Sequence, residues 1–264
     1  PKKESTWALI DQYKISIYGT SAKYINASKR FKQKPLLNTD LNLDSCRLLL
    51  STGSPLFSDD FDYIYQNVSK TVQVASISGG TDIVGCFALG NPIEPVRRGT
   101  LQSISLGYDV KALNQDGQPV LNEKAELVCQ APALSMPIAF WNDPQYKRYK
   151  DSYFSTYPNQ WCHADFVIIY DNGSAAFLGR SDATLNRNGI RMGTAEIYQC
   201  IEQHPLIDDS LVIHIETSDT LICFVTAVKT LDKQHITELK HHIKTKLSIR
   251  HCPNHIFQVP GMPY

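Results

Sequence analysis

Hydrophobic residues in the first ninety positions follow two spacings, one helical and one typical of buried strands. In "TWALIDQY", Trp7, Ile10 and Tyr13 fall on one side of a helix, whereas "CRLLLSTGSPL" is an apolar run that ends in a Gly/Ser/Pro turn. Further segments continue the alternation: strand "KISIYGTS", helix "SAKYINASKRF", helix "DDFDYIYQNV" and strand "TVQVASISGGTD". This alternation predicts an α/β part with a mostly parallel sheet, whose ligands bind beyond the carboxyl ends of the strands.

From about Gly90 the pattern changes to short strands separated by turns, which predicts a β-rich section over about residues 90–180. Asp116-Gly117 and Asn172-Gly173 indicate hairpins with tight type I′ turns, in which both central residues have positive φ.

The residues after Arg180 predict a small α+β unit. A helix from about Thr194 to Gln203 is followed by two apolar strands, "SLVIHIET" and "TLICFVTAVK". The last predicted helix, "HITELKHHIKTKL", places Ile236, Leu239, Ile243 and Leu247 on one face. We therefore expect two domains, residues 1–180 and residues 181–264.

Charge and hydropathy limit the classes of partner. Lysine plus arginine and aspartate plus glutamate number 26 each, so no bulk field draws the chain to nucleic acid or to an acidic membrane surface. No apolar run approaches the roughly 20 residues that span a bilayer, and the first residues lack the apolar core of a signal peptide. These features predict no nucleic-acid or membrane partner and a cytoplasmic location.

The seven cysteines are scattered and contain no C-x-x-C pair, which favours buried reduced thiols over a disulfide framework. One arrangement resembles a ligand cluster, namely His251, Cys252 and His255 in "RHCPNH". Pro253 interrupts any helix there and no second cluster completes four ligands, so a metal site is the lesser alternative.

Polar turns carry the candidate chemistry. "SISGGTD" combines backbone N–H groups freed by Gly79 and Gly80 with a threonine hydroxyl and the carboxylate of Asp82, a combination that can surround a phosphate and a hard cation. The alternative is an ordinary chain reversal, which is equally open for "STGSPL". Asp165 in "WCHADF" is either a ligand or a solvated capping residue, and "GRSDATLNRNGIR" is either a site or an interdomain linker.

Taken together and in order, these stretches resemble the adenylate-forming superfamily of acyl-CoA synthetases, and among them the members that activate acetoacetate. The resemblance runs along the whole chain and is carried by "YGTSAKY", "LLSTGSPL", "SISGGTDIVG", "SMPIAFWNDP", "YFSTYPNQWCHADF" and "GRSDATLNRNGIRMGTAEIY". It implies the C-terminal part of a large α/β domain, with parallel sheet and β-rich subdomain, followed by a small mobile α+β domain.

The resemblance also implies roles for individual residues. It places Thr81 at the α-phosphate of ATP or AMP and Asp82, where relatives usually have glutamate, at Mg²⁺, and it makes these two residues the catalytic pair. Gly79 also corresponds to a position that acetate-selective relatives fill with tryptophan, so glycine is expected to leave room in the acyl pocket for a longer acid. The remaining nucleotide contacts are expected from the adenine-side turn, the glycine pair, a carboxylate at the ribose and an arginine at the ribose or phosphate: Gly53, Ser54, Pro55, Gly79, Gly80, Asp165 and Arg180.

For the second half-reaction, the resemblance makes Asp182 the hinge about which the small domain rotates. Asn188, Gly189 and Arg191 correspond to the loop that faces coenzyme A, and Lys244 to a basic residue near the nucleotide of the coenzyme. A lysine on an amphipathic helix is otherwise a solvated residue, and that reading stays open. Ala125 and Ala164 stand where relatives often have glycine.

The implied reaction joins acetoacetate to coenzyme A through an acyl-AMP, with pyrophosphate and AMP as products. Two family features have no counterpart here: a glycine-rich phosphate loop upstream and a lysine beyond "VPGMPY" that contacts the reacting carboxylate. The chain is therefore expected to be inactive alone and to need the remainder of its own chain at both ends. The alternatives are a non-catalytic nucleotide-binding module of the same fold and a ligase for another short-chain acid.

Overall fold

The computed structural model describes residues 6–183, 185–187 and 190–263. The chain divides into two compact units, one that ends at Phe177 and one that begins at Leu178. The predicted boundary lay three residues later, after Arg180. Each unit has its own buried core, so we describe them separately.

The first unit begins with a three-stranded parallel sheet of order β1-β2-β3. Leu49 and Val74 are 1% exposed, because the strands bury their apolar side chains beneath amphipathic helices that contribute Ile10, Ile25 and Ile64. The elements are α1 (Thr6–Gln12), β1 (Ile17–Ser21), α2 (Ala22–Arg30), β2 (Leu48–Thr52), α3 (Ser58–Asn67) and β3 (Gln73–Ser76). These elements lie where the hydrophobic spacing predicts them.

The second part of this unit is β-rich, as predicted. It contains an antiparallel sheet of order β4-β5-β6 and a four-stranded sheet of order β10-β9-β8-β7. Phe87, Leu127 and Trp161 form the centre of its core and are at most 1% exposed. The strands are β4 (Ser78–Gly80), β5 (Gly85–Leu89), β6 (Ser103–Ile104), β7 (Val110–Leu113), β8 (Ala125–Cys129), β9 (Trp161–Ile169) and β10 (Ala175–Arg180).

The helix α4 (Lys147–Tyr153) in this part was not predicted. Its sequence is charged and aromatic, without the aliphatic spacing of an amphipathic helix. The carboxylate of Asp143 accepts hydrogen bonds from the backbone N–H groups of Arg148 and Tyr149, each at 2.9 Å, and so satisfies donors of the first turn.

Both predicted hairpin turns are present, but their predicted type is wrong. Only the glycines have positive φ, 72° at Gly117 and 80° at Gly173, while Asp116 and Asn172 do not. The N–H of Gly117 donates to Asn114 O at 3.0 Å, and the N–H of Gly173 donates to Tyr170 O at 2.9 Å. These are the features of a type I turn followed by a left-handed glycine, the usual longer alternative to type I′.

The second unit contains a mixed sheet of order β13-β14-β15, with β13 and β14 antiparallel and β15 parallel to β14. Ile197, Val225 and Ile243 are 0% exposed and form the centre of its core. The elements are β11 (Leu185–Arg187), β12 (Ile190–Met192), α5 (Thr194–Glu202), β13 (Ile207–Ile215), β14 (Thr220–Ala227), α6 (Lys233–Lys246) and β15 (His255–Gln258). The short strands β11, β12 and β15 were not predicted. The α/β plus α+β fold class is confirmed.

All seven cysteines are free. Within the parts of the chain that the structure describes, no helix has the length and apolarity to cross a bilayer.

Candidate functional site

The turn after β2 lies at the carboxyl edge of the parallel sheet. Gly53 follows the last residue of β2 and has φ of 86°, a conformation that favours glycine. Ser51 pairs with Ser76 of β3, and the N–H of Ile77 donates to Ser51 O at 2.8 Å. The chain segments that lead to Gly53-Ser54-Pro55 and to Gly79 therefore leave the sheet side by side.

Gly79 and Gly80 do not form the predicted turn. They belong to β4, where Gly79 pairs with Cys86 and Gly80 with Gly85 of β5. The chain reversal is instead made by residues 81–84. The prediction of a Gly-Gly turn with freed N–H groups is thus wrong, because close approach of β5 makes glycine necessary in this strand.

The space beside Gly79 is filled. A Cβ atom at this position would lie 1.9 Å from the carbonyl oxygen of Gly85 and 2.7 Å from Cys86 Cα. A Cβ on Gly80 would lie 2.9 Å from His163 Cε1. The expectation that glycine at 79 leaves room for a longer acid finds no support in this geometry, since the backbone of β5 occupies the direction of the side chain.

Thr81 and Asp82 are exposed at the tip of the β4–β5 hairpin. The hydroxyl of Tyr153 on α4 donates to Asp82 Oδ2 at 2.6 Å. The ring of Tyr153 is in turn stacked on Trp161, with ring centroids 3.6 Å apart and an interplanar angle of 14°. The half-buried Tyr153, which packs on the buried Trp161, therefore holds one oxygen of the carboxylate that the sequence assigns to Mg²⁺.

Asp165 lies in an irregularity of β9. Its pairing with β8 shifts between Glu126 and Val128, and Ala164 has φ of 60°. Three residues of β9 thus stand opposite Leu127, as in a β-bulge. The side chain of Asp165 is only 13% exposed, so it is not the freely solvated carboxylate of the alternative interpretation.

His163 is the residue at this site that sequence reasoning missed. It is 6% exposed and its ring packs edge-on against Phe87 at 4.7 Å. Trp161 Nε1 donates to His163 Nδ1 at 3.2 Å, while Nε2 lies 3.4 Å from Gly79 O and 3.9 Å from Asp165 Oδ2. The imidazole thereby connects the glycine strand with the carboxylate of β9. The available sequence signal was the His-x-Asp spacing of His163 and Asp165.

In the second unit, Arg180 and Asp182 form a bidentate ion pair. Arg180 Nε donates to Asp182 Oδ1 at 2.8 Å, and a terminal nitrogen of the same guanidinium contacts Oδ2. Hydrogen bonding from Arg180 lowers the pKa of Asp182 below its usual value. The predicted ribose contact and the predicted hinge residue are thus bound to each other.

The predicted coenzyme A residues are placed only in part. Asn188 and Gly189 lie outside the described residues. The backbone of Arg191 pairs with Asn186 between β12 and β11, and Lys244 is exposed on α6. Their roles stay predictions.

The sequence "RHCPNH" does not form a metal centre in the described structure. His251 Nδ1 lies 2.8 Å from Ser248 Oγ, and its Nε2 lies 3.3 Å from Glu196 Oε1. Cys252 is buried, and His255 is an exposed residue of β15. Among the described residues, no group of three or more histidine, cysteine or acidic side chains is arranged to hold a metal ion.

The first unit therefore brings together three of the sequence-predicted segments: the turn at Gly53, the glycine strand with Thr81 and Asp82, and the bulge at Asp165. Parallel pairing joins the first two, and the ring of His163 joins the second and third. Arg180, Asp182, Arg191 and Lys244 belong to the second unit.

Known proteins resemble this chain in sequence over nearly its whole length. No protein-family profile matches the chain. The acetoacetyl-coenzyme A synthetase of Rhizobium meliloti is 43% identical over 254 residues, which are 95% of this chain and 39% of the relative. The acetoacetyl-CoA synthetase of Gallus gallus is 37% identical over 270 residues, which are 100% of this chain and 40% of the relative. The chain thus spans about 40% of the length of these relatives.

Solved structures give the same result for the fold. Acetoacetyl-CoA synthetase from Streptomyces lividans aligns with a TM-score of 0.86 at 39% identity, over 98% of this chain and 40% of that one. An anthranilate CoA ligase in complex with anthranoyl-AMP aligns with a TM-score of 0.77 at 19% identity, over 98% of this chain and 48% of that one. The chain is similar along its length to acetoacetyl-CoA synthetases and has the fold of the C-terminal part of adenylate-forming enzymes.

Proposed function

We propose that this chain serves an ATP-dependent acid–thiol ligase that activates acetoacetate as an acyl-AMP and transfers the acyl group to coenzyme A. The products are acetoacetyl-CoA, AMP and pyrophosphate. The observation that carries the proposal is the 43% identity to an acetoacetyl-CoA synthetase over 95% of the chain. The convergence of three predicted nucleotide-binding segments in the first unit supports it independently.

The first unit supplies the groups for one nucleotide. Asp165 is a largely buried carboxylate, and its two oxygens can accept hydrogen bonds from both ribose hydroxyls. The turn Gly53-Ser54-Pro55 lies on the adenine side, where a backbone without bulky side chains allows a base to pack closely. The exposed Thr81 hydroxyl donates to the α-phosphate.

Asp82 is suited to a magnesium ion that arrives with ATP. Its carboxylate is exposed, and Tyr153 contacts Oδ2 and so fixes the direction of the group. Mg²⁺ is commonly bound by one or two carboxylates together with substrate phosphates and water, so a cage of protein ligands is unnecessary. The ion would neutralise charge on the phosphates; Asp82 would hold and orient it.

The reaction has two steps. In the first, a carboxylate oxygen of acetoacetate attacks the α-phosphorus of ATP, the P–O bond to pyrophosphate breaks, and an acyl-AMP forms. In the second, the thiol of coenzyme A loses its proton and attacks the acyl carbon, and AMP leaves. The contribution of the first unit is positioning of the nucleotide and stabilisation of charge at phosphorus.

The second unit is assigned to the thiol step. Rotation about Asp182 would bring the loop of Asn188, Gly189 and Arg191 to the coenzyme, with Lys244 near its nucleotide. Arg180 and Asp182 contact each other in the described structure, and both side chains are about half exposed. Arg180 must exchange this partner, in whole or in part, if it is to contact the ribose.

Nucleotide binding by this chain tests the site directly. AMP, or ATP with Mg²⁺, at millimolar concentration should raise the thermal midpoint, because a ligand that binds only the folded state stabilises it. Asp165→Ala should abolish the shift. Asp116→Ala is the matched control, since Asp116 is an exposed aspartate on a hairpin turn of the same unit, and it should leave the shift unchanged. No shift in the unsubstituted chain would contradict a nucleotide site.

Activity requires the full-length protein. Pyrophosphate release should be fastest with acetoacetate, compared with acetate and butyrate. Faster release with acetate or butyrate would assign the protein to another acid, and nucleotide binding without any pyrophosphate release would favour the non-catalytic module. Lys244→Ala should raise the KM for coenzyme A and leave the nucleotide-induced thermal shift of the chain unchanged.

A further inference from the structure

We propose that His163 is a positioning residue that fixes the spacing between the ribose-side carboxylate Asp165 and the phosphate-side hairpin that carries Thr81 and Asp82. The proposal deepens the nucleotide site described above and rests on that proposed function. It concerns a buried side chain between two elements of the first unit, and no role in substrate contact is assigned to the imidazole itself.

The hydrogen bond from Trp161 determines which nitrogen of His163 carries the proton. An indole N–H can only donate, so at 3.2 Å His163 Nδ1 must be the acceptor. In the neutral ring the proton then resides on Nε2. Trp161 is itself 1% exposed and stacked against Tyr153, so its ring has little freedom to turn away. The aromatic pair thus selects one tautomer of the histidine.

The protonated Nε2 lies between the two segments of the nucleotide site. It is 3.4 Å from the carbonyl oxygen of Gly79 and 3.9 Å from Asp165 Oδ2. The first distance is a long hydrogen bond, and the second brings the N–H dipole close to a carboxylate in a poorly solvated place. Both interactions favour the same direction of the ring and resist separation of β4 from the bulge of β9.

Two backbone features make this approach possible. Ala164 adopts φ of 60°, which forms the bulge that separates His163 from Asp165 in β9. Gly80 has no side chain, and a Cβ there would lie 2.9 Å from His163 Cε1. The histidine therefore occupies a place that both strands leave open for it.

The functional consequence follows from the position of Gly79 in the chain. Thr81 and Asp82 come two and three residues after it and lie in the turn of the β4–β5 hairpin. If the Gly79 carbonyl is held by His163, the phosphate contacts and the ribose contact move as one body. A nucleotide can then bind both groups without the cost of ordering them separately.

Two substitutions of His163 each keep one of its two hydrogen-bonding functions, donor or acceptor, and remove the other. In His163→Gln the amide nitrogen can take the place of Nε2 and donate to Gly79 O, whereas Trp161 loses its acceptor. In His163→Asn the amide oxygen can take the place of Nδ1 and accept from Trp161, whereas Gly79 O loses its donor. Each variant removes one buried hydrogen bond, so a purely structural role predicts similar losses of stability and of nucleotide affinity.

We expect His163→Gln to retain the affinity of the chain for AMP, measured by calorimetry, and His163→Asn to weaken it about 10-fold or more. Equal affinities of the two variants, or weaker binding by the glutamine variant, would overturn the proposal.

Nitrogen NMR of the imidazole in the nucleotide-free chain gives a second, independent measurement. We expect the proton of the imidazole on Nε2 and not on Nδ1 in the unsubstituted chain. Protonation at Nδ1 would overturn the role of His163 even if AMP binds. Conversely, the expected tautomer together with no AMP binding by the unsubstituted chain would contradict the nucleotide site, and with it the positioning role, while leaving the Trp161–His163 contact in place.

Discussion

At the scale of single residues, Ala164 of β9 has a left-handed backbone conformation that is unfavourable for alanine. Ala164 has φ of 60° inside a strand, a region that residues with a Cβ atom rarely adopt. Glycine reaches the same conformation without steric penalty. Ala125, the other alanine that stands where relatives often have glycine, lies in β8 without positive φ.

These two alanines should therefore respond in opposite ways to the same substitution. Ala164→Gly should raise the free energy of unfolding by about 1 kcal/mol, because the steric cost of left-handed backbone disappears. Ala125→Gly should lower it by about 1 kcal/mol, because glycine loses more freedom in a regular strand and the buried methyl is removed. Urea unfolding of both variants checks this. Destabilisation by Ala164→Gly would contradict the assigned backbone strain.

Single residues of the site could be predicted only where they stand in a recognisable sequence motif. Asp165 and Asp82 stand in motifs and could be named. The roles of Tyr153 and Trp161 could not be predicted, because they arise from contacts such as the bond from Tyr153 to Asp82, 71 positions apart. For His163 the only signal was its spacing from Asp165. Gly79 was identified, but its placement in a turn was wrong, since its crowding by β5 is a property of packing.

At the scale of elements, an ion pair with a buried carboxylate joins α2 and α3. Lys29 Nζ lies 2.9 Å from Asp60 Oδ1, and the Asp60 side chain is 3% exposed. Asp60 Oδ2 also accepts from the backbone N–H of Phe57 at the start of α3. One carboxylate thus holds two helices together and caps one of them.

We expect Asp60→Ala to lower the free energy of unfolding by about 2 kcal/mol, since the variant removes both the charge-assisted hydrogen bond from Lys29 and the cap of α3. Asp59→Ala, in the same helical turn but exposed, should cost less than about 1 kcal/mol. Guanidinium unfolding followed by circular dichroism distinguishes the two, and similar losses would argue against the pair as a tertiary contact.

Long elements with regular spacing could be predicted, and short or shared ones could not. The spacing in α6 and the apolar runs of β13 and β14 each extend over enough residues to be distinctive. In contrast, β15 covers only His255–Gln258 and exists because β14 offers a free edge for parallel pairing. The strands β11 and β12 are likewise three residues each, in a polar stretch that read as a turn.

The stability of the second unit is expected to depend on pH through His204, which follows α5. Burial lowers the pKa of His204 below its usual value of 6.5, and charge on His242 and His235 adds to this, while Glu238 opposes it. The folded state therefore disfavours the protonated ring. Above pH 6.5 the unfolded chain is also neutral and no stability is lost; as the pH falls below 6.5, the unfolded chain binds the proton first and is favoured.

We accordingly expect the free energy of unfolding to decrease between about pH 7 and pH 5.5, and His204→Gln to reduce this slope. His241→Gln, on the exposed side of α6, serves as control and should retain the slope. Urea unfolding at several pH values, followed by circular dichroism, measures it. An unchanged slope in His204→Gln would contradict the contribution of this residue.

At the scale of the whole molecule, the two units can be followed by different signals. The three tryptophans, Trp7, Trp141 and Trp161, all belong to the first unit. Helices and strands of both units contribute to circular dichroism. Tryptophan fluorescence therefore reports on the first unit, and circular dichroism reports on both.

The variant Ile243→Ala tests whether the two units unfold independently, because the two signals report on different units. Ile243 is 0% exposed in the core of the second unit, and its truncation should cost about 2–5 kcal/mol there. We expect the circular dichroism of the variant to change at lower denaturant than that of the unsubstituted chain, while the midpoint measured by tryptophan fluorescence stays constant. An equal decrease of both midpoints would show that the two units unfold as one.

The hairpin of β4 and β5 limits how such a site can diverge. A side chain at position 79 would meet the Gly85 carbonyl at 1.9 Å, and a side chain at position 85 would meet the Tyr108 hydroxyl at 2.1 Å. Neither glycine can be replaced alone without displacing a neighbour. Any lineage that acquires a bulky residue at 79 must first, or simultaneously, remodel the opposite strand, so epistasis between the two strands is built into this hairpin.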